Sequence, residues 1–179
     1  DRVCLPPGLV EWALDQAPSR VVLCRRGSSE AMVRLEGREV YFGPGSDCPN
    51  YLDPRTGEHR PFTVADVVDA IHVVDALPEM DFCMSMGVPS DSDVPSAYQH
   101  QFSLMLEHTT KPVVFVCHDR ADCEAIVSMA AAAAGGVDQL RLNPTLMLYS
   151  EPSTPLKHSE TATDKLLYMA RQALPIVHS

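Results

Sequence analysis

Five side chains in this sequence have the type and position to do chemistry: Ser85, His118, Tyr149, Glu151 and His178. Each stands at or near the end of a short apolar run: "DFCMSMG" from Asp81, "PVVFVCH" from Pro112, "TLMLYSE" from Thr145 and "PIVHS" from Pro175. Tyr149 and Glu151 are two residues apart, so on a strand they share a face. An aromatic ring beside a carboxylate suits a quaternary ammonium ion, with a cation–π contribution of about 0.5–2 kcal/mol depending on desolvation. His118, His178 and Glu151 could instead form a two-histidine-plus-carboxylate metal set. A polar residue at a strand end is also simply where a chain reaches water. Ser90, Ser159 and Thr63 read as helix caps rather than site residues.

The runs that deliver these residues alternate with helices. "PSAYQHQFSLMLEH" (Pro95 to His108), "ADCEAIVSMAAAAAGG" ended by Gly135, and "ETATDKLLYMARQAL" (Glu160 to Leu174) carry helical patterns. Strand starts therefore recur roughly every 30 residues, the length of a β-α-β unit. Strands apolar on both faces, separated by helices, indicate a parallel sheet covered by helices. An open doubly wound sheet and a (β/α)8 barrel both satisfy this pattern. No G-x-G-x-x-G or P-loop follows any strand, which removes the main support for a nucleotide-binding fold. Four units of uniform length fit half a barrel. In either fold, ligands collect at the C-terminal strand ends, where the titratable residues lie.

The part before these units is mixed. "PPGLVEWALDQAPS" predicts a helix opened by proline, and "RVVLCRR" a strand. "AMVRLEGREVYFG" predicts a hairpin whose arms, Met32 to Leu35 and Glu39 to Phe42, flank a Glu-Gly turn. A long loop of turn formers is expected from Gly43 to Pro61. Thr63 with Asp66 predicts a capping box opening a helix with Val64, Val67, Val68, Ile71 and Val74 on one face. The division expected is 1–62, a small helix and β-hairpin region, and 63–179, a partial (β/α)8 barrel of about four units, with the chain a fragment of a longer protein.

The 179 residues carry a formal charge of −10, which argues against a nucleic-acid surface, since that needs clustered Lys and Arg. Six cysteines lack C-x-x-C or zinc-finger spacing, so free thiols in a reducing, cytoplasmic setting are expected. No apolar run reaches the roughly 20 residues that span a bilayer, and no signal peptide is recognisable. There is no G-x-S-x-G elbow for a serine hydrolase.

Several ordered blocks, "FGPGSDCP", "DALPEMDFCMSMGVPSD", "MLEHTTKPVVF" and "YSEPSTPLKHSETATDKLL", together resemble the trimethylamine methyltransferase superfamily. The likeness runs from about Leu5 to Ser179. It implies the N-terminal part of a TIM-barrel catalytic domain that moves a methyl group from trimethylamine or a quaternary amine such as glycine betaine. The acceptor it implies is the Co(I) of a corrinoid (cobalamin) carried on a separate cognate protein, with no cofactor held tightly by this chain. Glu151 and Tyr149 are then expected to bind the cation, with His118 and Ser85 as further contacts. The loop holding Gly43, Gly45 and Asp47 is expected near the barrel mouth, where Asp47 could equally cap a turn. A half barrel with open strand edges would pair with its missing half or with another chain, so a homo-oligomer is expected. The alternatives are a metal-dependent hydrolase on the same barrel and a non-catalytic binding or structural fragment.

Overall fold

The computed structural model describes residues 3–92, 96–150 and 157–178, with residue 178 described by its backbone alone. Among them are six helices and seven strands in three small sheets, with no closed barrel. Helix α1 (Pro7–Gln16) precedes β1 (Val21–Cys24) and β2 (Ala31–Leu35), which pair antiparallel. Next come β3 (Asn50–Leu52) and β4 (His59–Pro61), then α2 (Val64–Ala76) and α3 (Ala97–His108). The remaining elements are β5 (Val113–Phe115), α4 (Arg120–Ala134), α5 (Val137–Leu142), β6 (Leu146–Ser150), α6 (Glu160–Gln172) and β7 (Ile176–His178).

β5, β6 and β7 form a parallel sheet in that order, with Phe115 opposite Leu148 and Tyr149 opposite Val177. Cys83 continues the sheet on the other side of β5 through one parallel bridge to Val113. The strand order thus follows the chain order. Alternation along β5 and β6 gives the sheet two different faces. Val113, Phe115, Leu146 and Leu148 turn toward the helices and are buried with Ile71, Phe102, Ile126 and Met169. Val114 and Met147 turn the other way and are buried with Leu23 and Val33 of the β1–β2 hairpin. The hairpin is fastened beneath the N-terminal ends of β5 and β6, where Arg26 N–H donates to Thr110 O and Cys24 N–H to Pro144 O. The C-terminal ends are therefore the accessible ones.

Three expectations need correction. The first hairpin joins β1 to β2 across a turn at residues 25–30, and residues 39–42 form no strand. The β1–β2 register buries Leu23 and Val33 almost completely, whereas Val40 and Phe42 remain 70% and 65% exposed, so hydrophobic burial selects the earlier partner. The stretch from Gly43 to Pro61 is not all loop but contains the β3–β4 hairpin, turned by Asp53, whose carboxylate accepts from Arg55 N–H at 2.8 Å. Asp81 to Gly87 is not a regular strand. Met86 adopts φ 62°, which ends extended pairing, and the segment bonds instead to the 42–48 loop.

α2 opens with the expected capping box between Thr63 and Asp66. Asp66 is buried and also receives two hydrogen bonds from Arg60 of β4, at 2.6 and 2.8 Å. The Arg60 hydrogen bond foremost, with those from Thr63, holds the Asp66 carboxyl far below the usual carboxylate range despite burial. Gly87 lies flat against Phe62, whose ring a Cβ at this position would overlap.

Two outcomes follow from these contacts. Gly87→Ala should lower stability by roughly 1–3 kcal/mol through overpacking, read as a fall in Tm. Because the folded Asp66 binds its proton more weakly than the unfolded side chain, acid favours unfolding. Its contribution should be complete above about pH 4 and lost as pH drops toward the depressed folded value. Asp66→Asn should cost roughly 1.5–3 kcal/mol at neutral pH and flatten that acid limb in urea titrations.

Candidate functional site

Turn residues and caps bring the site together at the C-terminal strand ends. Asp119 caps α4 by accepting from Asp122 N–H at 3.0 Å, and Ser159 caps α6 by accepting from Ala162 N–H at 3.0 Å. Ser96 caps α3 in the same way. Each cap fixes where its helix begins above the sheet, and so where first-turn side chains stand.

Between these helix starts and the strand ends lies an open cleft of about 720 Å³. His118 and Tyr149 line it from the ends of the strands, as do Gly45 and Asp47 from the loop. That loop is stitched to the segment after Cys83 by Met86 N–H to Gly45 O and Cys48 N–H to Met86 O, both 3.1 Å. Asp47 occupies the left-handed region at φ 63°, uncommon outside glycine, Asn and Asp. Gly43 is placed elsewhere, packed on the Phe82 ring. Ser85 is buried and does not line the cleft. Glu151 and the residues after it to 156 lie outside the described residues, as does Ser179, and His178 is placed by its backbone opposite Ser150.

Three further residues also line the cleft, and inspection of the strand ends alone passes over them. Tyr98 enters the cleft from the first turn of α3, Lys165 from the second turn of α6, and Cys117 from the end of β5. Burial raises the Tyr98 phenol above its ordinary pKa, and the negative charges of Asp47 and Asp122 add to that rise, so the ring stays neutral. Lys165 Nζ donates to Cys117 O at 2.6 Å. The Cys117 thiol is pushed strongly up, first by its contact with the Cys123 thiol and then by burial. A thiol held neutral in this way is a poor nucleophile. Among the described residues no group of three or more His, Cys, Asp or Glu is placed to hold a metal ion. No helix among them is long and apolar enough to cross a membrane.

The arrangement can receive a small ligand with a cationic part, held against the Tyr98 and Tyr149 rings and the Asp47 carboxylate. It also offers one ammonium, Lys165, to an anionic part. Lys165→Met removes the bond to Cys117 O and should lower Tm by a few degrees, and it should cut affinity for carboxylate-bearing cations but not for cations lacking a carboxylate, measured by calorimetry on the full-length protein.

A family model described as "Trimethylamine methyltransferase (MTTB)" matches residues 1–179. Trimethylamine methyltransferase MttB of Desulfitobacterium hafniense (strain DSM 10664 / DCB-2) is 31% identical over 174 residues, covering 97% of this chain and 35% of that relative. The chain thus spans about a third of the length of the curated relative it matches. With its whole described length matched, the chain belongs to the trimethylamine methyltransferase family.

Proposed function

We propose that this chain supplies an amine-binding cleft to a methyltransferase that moves a methyl group from a methylated amine, trimethylamine or a quaternary amine such as a betaine. The acceptor in this reading is the Co(I) of a corrinoid carried by a separate protein, which supplies the nucleophile when bound. The observation that carries the reading is the cleft itself, where the neutral Tyr98 ring and the Asp47 carboxylate stand together with Tyr149 at the open ends of parallel strands. Strand order that follows chain order, with a helix between successive strands, supports a partial (β/α)8 barrel as the scaffold.

The residues present suit such a task. A quaternary ammonium that gives up one methyl group leaves as a neutral amine, so no side chain has to protonate it. The walls need only bind the cation, hold one methyl toward the open side and keep water from its place, which is catalysis by orientation. Cys117, the one thiol lining the cleft among the described residues, is kept protonated and so is a poor competitor for the methyl group. The open side leaves room for an acceptor presented from outside.

Lys165 favours a zwitterionic substrate within this class. Its ammonium would meet a carboxylate while the methylated nitrogen rests on the aromatic side of the cleft.

The test uses the full-length protein with its reduced corrinoid partner and follows release of demethylated amine from glycine betaine and from trimethylamine. Asp47→Asn, which keeps the side-chain shape and tolerates positive φ, should raise KM for the productive amine by roughly tenfold with little change in Tm. Lys165→Met should raise KM for glycine betaine and leave that for trimethylamine unchanged. Absence of demethylation with either amine, in the presence of a corrinoid protein proven competent, would reject the proposed reaction.

A further inference from the structure

One buried charge beside the cleft has no part in the binding scheme above. Asp122 lies in the first turn of α4 and is 8% exposed. Its Oδ1 accepts from Gln99 Nε2 at 2.8 Å and its Oδ2 from the His118 backbone N–H at 3.3 Å. The Ser96 hydroxyl bonds to the same carboxylate. His118 lines the cleft after β5, and Ser96 and Gln99 flank Tyr98, which lines it from α3. The carboxylate is therefore fixed between the two elements that carry His118 and Tyr98.

All three of these partners donate hydrogen bonds without carrying a charge in doing so. Among the described residues no Lys or Arg forms an ion pair with Asp122. Burial alone would push its carboxyl up, but the bonds from Ser96, Gln99 and the His118 backbone outweigh burial and hold it below the ordinary value. The group stays ionised at neutral pH, and its charge reaches the Tyr98 phenol. Asp122 is not the cap of α4, which is Asp119, and its bond to the His118 backbone N–H requires only an oxygen acceptor, which Asn would provide as well as Asp. What Asp adds is a negative charge in surroundings where it is weakly screened, unlike the exposed Asp47.

We propose that Asp122 is a specificity-determining residue whose buried carboxylate gives the Tyr98–His118 wall a fixed negative potential. The cleft thereby selects a positively charged methylated nitrogen over an uncharged group of the same shape. The inference deepens the amine reading and rests on it. Asp122 touches no ligand in this scheme and acts through space, so the readout must separate charge from structure.

The experiment is calorimetric binding to the full-length protein of choline and of 3,3-dimethylbutan-1-ol, which replaces the quaternary nitrogen by carbon. The wild type should bind choline more tightly than the alcohol. Asp122→Asn should reduce that preference roughly tenfold, the effect expected of a unit charge at short range under partial screening, while affinity for the alcohol stays unchanged. Gln99→Lys, which retains the carboxylate but sets an ammonium against it, should do the same and serves if Asp122→Asn fails to fold. The double variant Asp122→Asn with Gln99→Glu returns a carboxylate to the same contact and should restore the preference. An undiminished preference in Gln99→Lys, or equal losses for both ligands, would overturn the role given to Asp122 while leaving the amine site standing. A wild type that prefers the alcohol, shows no preference or binds neither probe would overturn the amine reading and this inference with it.

Discussion

The packing of Leu23 and Val33 against Val114 and Met147 is the contact on which the described arrangement depends. A parallel strand is apolar on both faces, and helices can cover only one face when the sheet curves around the other. In this chain the second face is closed by an antiparallel hairpin from the N-terminal region, pinned beneath β5 and β6 by backbone hydrogen bonds. Sealing that end has a functional consequence. Polar side chains at the opposite strand ends become the ones that meet solvent and ligand, so Tyr149 sits at the margin of a core while also lining the cleft.

The site then grows from helix starts as much as from strand ends. Ser96, Asp119 and Ser159 each cap a helix just above the sheet, and each cap satisfies backbone donors that would otherwise face the cleft unpaired. Because the caps fix the first turn of each helix, Tyr98 and Asp122 inherit their positions with little freedom. Asp47 is held differently, by a loop whose backbone bonds to residues 86–88 and whose own φ is positive. Two unlike devices, a capped helix and a stitched loop, thus bring negative charge to the same phenol.

What could be read from the sequence divides along physical lines. Local signals with a short range were legible: the Thr63–Asp66 capping box, the Gly135 C-cap, and the apolar runs at β5 and β6. Pairing between segments was not, because several partners with similar alternation compete and only tertiary burial decides. The Glu-Gly turn made residues 39–42 a natural partner for β2, yet β1 buries more apolar surface there. The segment at Cys83 has the composition of a buried strand, but the turn at Met86 and the tie of Asp81 to Phe42 reduce its pairing with β5 to one bridge. His118, Tyr149, Gly45 and Asp47 could be placed by reasoning from strand ends and family blocks. Tyr98, Lys165 and Asp122 could not, since a first- or second-turn helix residue looks in sequence like any other amphipathic position.

The cleft holds an ammonium and one carboxylate, with the buried Asp122 carboxylate beside it, and their placement decides what it can recognise. Lys165 is bound to the Cys117 carbonyl at 2.6 Å, which holds its charge on the β5 side of the cleft. Asp122 is anchored between α3 and the residue after Cys117, and Asp47 arrives from the loop. Opposite charges free to move would collapse into an ion pair and leave a neutral, unselective pocket. Here the Lys165 and Asp122 charges are each held by an uncharged partner, a carbonyl in one case and an amide and backbone N–H in the other. Charges kept apart in this way retain a field across the cleft before any ligand enters, so less reorganisation is required on binding. Under the proposed function, such a field would suit a zwitterion whose cationic end is methylated, with its carboxylate toward Lys165.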